Sequence, residues 1–158
     1  MRNEVDPIML VRPEQCCCGV TVWLTGSPDA GTSPLAHAVA ERLRGAGRRV
    51  AVLEAVDVRQ TGLTAEVLAR NGVIVLVSST AAPYTDSGEV VRERHGRSGM
   101  HFLHVHMTTS TANSDQSEVN GFPCAPDLVI RPSAPTTSQP ASLLLELLAE
   151  KRFVVGAA

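Results

Sequence analysis

The run Val73-Ile-Val-Leu-Val77 has no polar alternation anywhere along it. A strand with one wet face alternates apolar and polar residues, so a run without alternation predicts a parallel strand buried on both faces. Burial on both faces requires helices above and below the sheet, and the chain must supply them between its strands. It does so in order. Short apolar runs at Val20 to Thr25, Val50 to Leu53, Phe102 to Met107 and Asp127 to Ile130 are predicted as further strands. Between them Pro34 to Gly47 carries Leu35, Val39 and Leu43 at a spacing of four, one face of a helix. Leu63 to Asn71 reads as a short helix closed by Gly72, Asp86 to His95 as a polar one, and Ala141 to Arg152 as an amphipathic one. The expected fold class is α/β: a three-layer parallel sheet with helices on both faces. Residues 1–18, with Pro7 and Pro13 and no periodicity, are expected to form an arm ahead of one domain over 19–155.

Charge and composition exclude several partners. A net charge of -2 opposes a grip on a phosphate backbone. One Trp, one Tyr and three Phe leave little for a base-stacking platform, so nucleic acid is not expected. No apolar run nears the roughly 20 residues of a membrane span, and a cytoplasmic protein is expected. Cys16, Cys17 and Cys18 are contiguous and Cys124 stands alone, unlike a spaced disulfide framework or the C-x2-C of a zinc site. His104 and His106 share a strand face; strand packing accounts for them without a metal. Arg42, Arg44, Arg48 and Arg49 cluster where the first helix ends, where cations complement its dipole.

The chemistry is expected at the first strand–loop–helix turn, where open parallel sheets bind ligands. That turn reads Gly26-Ser27-Pro28-Asp29-Ala30-Gly31-Thr32-Ser33. A phosphate-cradling loop needs G-x-x-x-x-G-K-[ST]: backbone N–H groups for the phosphates, lysine for the β/γ-phosphates, a hydroxyl for Mg²⁺. The glycine spacing fits, but Thr32 stands where lysine belongs. Lys151, near the C-terminus, is the one lysine of the chain. The candidate nucleotide-binding residues are Gly26, Ser27, Asp29, Ala30, Gly31, Thr32 and Ser33. By spacing alone the loop reads either as an anion site at a helix N-terminus or as a helix cap.

The flanking strings carry a resemblance. Val20 to Gly26 (VTVWLTG) resembles the opening strand of adenylylsulfate (APS) kinases, and Leu35 to Glu54 resembles that family's first helix and second strand. Leu68 to Ser79, Pro83-Tyr84, Val91 to His95, Gly121-Phe122 and Pro126 to Ile130 follow in the family's order, so the resemblance spans roughly residues 18–150. It implies a P-loop kinase fold and ATP- and magnesium-dependent transfer of the γ-phosphate to the 3′-hydroxyl of adenylyl sulfate. It also implies that Phe122 stacks on the substrate adenine, with Arg59 the second candidate substrate contact.

The departures are concentrated in the machinery. Against the family pattern the lysine is Thr32, a loop glycine is Asp29, and the Asp-Gly-Asp after the second strand is Glu54-Ala55-Val56. The acceptor segment is cut to Gln60 to Val67, an arginine is Thr85, and Asp-Thr-Pro is Thr108-Thr109-Ser110. The basic lid is a Ser/Thr/Asn loop in which Asn120 replaces a lysine, while Glu118 remains. A charge pair at about 4 Å contributes roughly 4 kcal/mol at an effective dielectric near 20. Losing the lysine alone therefore costs around a thousandfold in rate. The expectation is an inactive or strongly impaired kinase-like protein that binds nucleotide or anion, or docks a protein partner or a second copy, in connection with sulfate activation. The alternatives are an active kinase with a rebuilt phosphate site, or a sensor that binds ATP or adenylyl sulfate without chemistry; no metal site is expected beyond Mg²⁺ with ATP.

Overall fold

The computed structural model describes residues 19–26, 30–79, 86–108, 126–131 and 138–154. Five parallel strands, β1 (Val20–Gly26), β2 (Val50–Glu54), β3 (Ile74–Ser79), β4 (His101–Met107) and β5 (Leu128–Ile130), lie in the order β2-β3-β1-β4-β5. The helices are α1 (Thr32–Gly45), α2 (Val58–Arg70), α3 (Asp86–Arg97) and α4 (Ser138–Glu150). This is the three-layer α/β arrangement expected from the sequence.

Alternation along β1 divides the interior into two cores. Val20, Val22 and Leu24 join Ile74, Leu76, Leu103 and Val105 on one face, against Leu35, Val39 and Leu43 of α1 and Leu144 and Leu148 of α4. Thr21, Trp23 and Thr25 lie on the other face with Val75, Val77 and Phe102, beneath Ala65 of α2 and Val91 of α3. The first core is apolar up to the end of β3, where Ser78, level with Leu24, and Thr32 of α1 form a buried hydroxyl pair. In the second, Trp23 stacks near Phe102, with ring centroids 6.0 Å apart, and several buried polar groups need partners.

Those partners are specific. His95 donates from Nδ1 to the Val91 carbonyl at 2.9 Å, which leaves Nε2 to accept from the Thr21 hydroxyl at 2.9 Å. Thr25 Oγ1 lies 2.8 Å from His104 Nε2 and 2.9 Å from His106 Nδ1. A hydroxyl has one proton, so with neutral rings Thr25 donates to one imidazole and accepts from the other. Burial holds His95 below the usual histidine range. Burial, then His106 and Arg92, pushes His104 down to about 3. The H-x-H pair is thus accounted for by strand packing, as expected.

One helix starts earlier than the sequence indicates. The sequence reading begins this helix at Leu63, yet α2 runs from Val58, capped by Asp57, whose carboxylate accepts from the Gln60 N–H at 3.0 Å. Gly62 sits inside the helix because α3 approaches it there: a Cβ at this position would lie 2.5 Å from Val91 Cγ2. Helix α3 runs two residues beyond His95, and α4 covers Ser138–Glu150 rather than 141–152.

Candidate functional site

The site is built where β1 ends and α1 begins. Gly26 closes β1 against β4: a Cβ there would meet the Met107 carbonyl oxygen at 2.7 Å. Gly31 caps α1 with φ 83 and ψ 33, the left-handed region open to glycine, and brings no side chain to cap the helix. The first turn contains no acidic residue. The N–H groups of Thr32 and Ser33 have no partner within the helix and lie at the positive end of its dipole. Pro34, third in the helix, withholds the next one.

Three predicted site residues take up defined contacts. Ala30 is buried against the turn. Thr32 is 1% exposed, and its Oγ1 lies 2.8 Å from Ser78 Oγ near the end of β3. Its side chain is directed down onto the sheet. Ser33 donates from Oγ to Glu54 Oε1 at 3.0 Å, joining α1 to the end of β2. Sequence reasoning had no means of finding Ser78, 46 positions from Thr32.

Glu54 also lines a cleft of about 310 Å³ with Leu53, Val56, Asp57, Gln60, Thr61 and Thr64. The cleft therefore borders the loop through a shared carboxylate. Arg59 is exposed on the first turn of α2, adjacent in sequence to the cleft residue Gln60. Val56, at the position of the family's second acid, is 89% exposed and offers no ligand. Ser27, Asp29, Thr85, Glu118, Asn120, Phe122 and the four cysteines lie outside the described residues, as does the arm over 1–18.

The oxygen set suits magnesium phosphate in part. Mg²⁺ takes one or two carboxylates and completes its shell with phosphates and water. Ser33 Oγ and Glu54 Oε1 are hard donors at the helix start that fit this pattern. Among the described residues, no group of three His, Cys, Asp or Glu could hold a metal ion by itself. No helix among them is long and apolar enough to cross a membrane.

Comparison with known proteins places this geometry. A family model described as adenylylsulphate kinase matches residues 18–64 and 54–125. An adenylyl-sulfate kinase of Picosynechococcus is 32% identical over 123 residues, 66% of this chain and 67% of its own. The one of Rippkaea orientalis is 33% identical over 66% of this chain and 65% of its own. About a third of each relative's length thus lies outside the match.

Among solved structures, the Mycobacterium tuberculosis APS kinase CysC in complex with AMPPNP and APS superposes with a TM-score of 0.69. It is 23% identical over 84% of this chain and 98% of that one. A hexameric APS kinase from Thiobacillus denitrificans gives a TM-score of 0.69 at 23% identity, over 90% of this chain and 31% of that one. The fold is that of these APS kinases, and the family model covers the loop and the strands β1 to β4. On this combined ground the chain belongs to the adenylylsulphate kinase family.

Proposed function

We propose that this chain is an adenylylsulfate-kinase-type protein strongly impaired in phosphoryl transfer, which acts as a nucleotide- or anion-binding module associated with sulfate activation. The observation that carries the reading is Thr32. At the position where the family's motif has lysine stands a buried hydroxyl that faces Ser78, so no cation reaches the β/γ-phosphates from there. Phosphoryl transfer depends almost wholly on positioning and charge stabilisation, and the missing acid at Val56 removes a second part. What remains is suited to holding an anion: Gly31, the N–H groups of Thr32 and Ser33, and the dipole of α1. Mg²⁺, when it arrives with ATP, would be held by Ser33 and Glu54 and would screen the phosphate charge.

The test is calorimetric titration with Mg·ATP, with and without adenylyl sulfate, followed by a phosphotransfer assay. The expected result is measurable ATP binding with turnover at least a thousandfold below a lysine-bearing relative. Turnover at the relative's rate overturns the reading. Absence of any heat up to millimolar ligand removes the binding part and leaves a protein-docking role.

A second reading, an active kinase with a rebuilt site, is favoured by one specific observation. The Ser33–Glu54 pair keeps the hydroxyl and one carboxylate in contact at the helix start. The same phosphotransfer assay separates the two.

A further inference from the structure

The four helices among the described residues share one ending. In each, a residue with positive φ follows the last turn: Gly47 at 83, Gly72 at 80, Gly99 at 74 and Arg152 at 68. The next N–H then reaches back five residues, from Arg48 to Leu43, Val73 to Leu68, Met100 to His95 and Phe153 to Leu148. Three of these ends use glycine, which takes this conformation freely. The fourth holds a β-carbon in a strained position and carries a cation.

The connection between α1 and β2 stitches three of these ends together at the N-terminal pole of the strands. The Arg48 guanidinium donates to the Phe153 carbonyl, Arg49 donates to the Asn71 carbonyl, and Arg44 reaches the Val50 carbonyl at 3.4 Å. Arg44, Arg49, Arg70, Lys151 and Arg152, all exposed, belong to the three helix ends that these contacts join, and together they form the cationic strip of this pole. The contacts of Arg44 and Arg49 are neutral carbonyls, which leave their charge uncancelled. The ion pairs of the described residues, Arg92–Asp127, Arg94–Glu66 and Arg97–Glu93, involve none of the five. Glu41 and Glu150 are the carboxylates on the adjoining turns.

A helix dipole accounts for cations within a last turn. It does not account for an arginine kept at a strained position that suits glycine, nor for the joining of three ends into one surface. The chain as a whole is net negative, so a long polyanion is repelled beyond the strip, whereas a short acidic segment meets the strip alone. We propose that this pole is a docking surface for an acidic segment of a partner protein. It lies at the opposite end of β1 from the phosphate loop, so its failure leaves the reading of Thr32 untouched, and the reverse.

The probe is a fluorescein-labelled octaglutamate peptide, followed by fluorescence anisotropy on the full chain at low salt and at about 0.15 M, where the Debye length is about 8 Å. Saturable, salt-sensitive binding is expected, weakened at least tenfold by Arg44→Glu with Arg70→Glu. Arg131→Glu, beyond β5 at the other pole, should leave it unchanged. Arg152→Gly is the decisive variant, since it should raise the melting temperature while weakening the peptide. No binding by the intact chain, equal loss from Arg131→Glu, or full affinity in Arg152→Gly would each overturn the proposal. So would tighter binding of a charge-matched oligothymidylate, which would make the surface a nucleic-acid site. Melting curves of each variant separate lost binding from lost folding.

Discussion

Thr32 Oγ1 and Ser78 Oγ lie 2.8 Å apart in a buried contact between the first turn of α1 and β3. The pair satisfies two hydroxyls that would otherwise be unpaired beneath the loop. It also anchors the loop from below by a neutral bond, where the family's motif extends a charge outward.

Thr32→Lys reverses this choice. The Ser78 hydroxyl loses its partner, and stability should fall by about 1 kcal/mol. The new ammonium should raise affinity for Mg·ATP at least tenfold by calorimetry. Phosphotransfer should stay far below that of the family's intact enzymes, because Val56 still lacks the second carboxylate. Unchanged ATP affinity would show that the loop does not receive phosphates.

Gly62→Ala should destabilise the protein by about 1–3 kcal/mol, the usual effect of overpacking. The added methyl would stand 2.5 Å from Val91 Cγ2, across the α2–α3 contact. Val91→Ala opens that space, so the double variant should be less destabilised than the sum of the two single ones. Urea titrations of the four proteins measure the coupling; simple additivity would mean that the helices separate instead of clashing.

The histidines make stability depend on acid. His104, held near 3 in the folded chain, titrates near 6.5 when unfolded. Above about 6.5 both states are neutral there and its contribution is constant. As pH falls below that value the unfolded chain takes up a proton that the folded one refuses. Stability should then decline towards pH 3 by up to about 1.4 kcal/mol per pH unit from this group. His95, lowered by burial, adds in the same direction. Denaturant melts between pH 7 and 4 should show a slope that is shallower in His104→Gln; an identical slope would assign the acid sensitivity elsewhere.

Arg152→Gly should stabilise the fold by about 1 kcal/mol, since the left-handed conformation at φ 68 costs an L-residue that much or more. For a chain of this size the melting temperature should rise by about 2–4 °C. A fall would mean that the arginine side chain contributes more than its backbone costs.

The strands and most of the helices were legible because their signals are local. The unbroken Val73–Val77 run and the four-residue spacing of Leu35, Val39 and Leu43 each report burial over a few residues. The early start of α2, ahead of the expected Leu63, was not legible, because what places Gly62 inside a helix is Val91 of α3 packed against it. Nor was the role of Thr25, whose two imidazole partners are 79 and 81 residues away.

The sequence by itself determined the layered α/β class, the family, the place of the loop and the absence of its lysine, since these follow from periodicity, matched strings and residue identity. Only the tertiary structure decided that Thr32 faces Ser78, that Glu54 joins Ser33 to the cleft, and that Arg48 and Arg49 join three helix ends. These relations depend on parallel pairing in the order β2-β3-β1-β4-β5. That order is set by contacts between residues far apart in the chain, which no local pattern encodes.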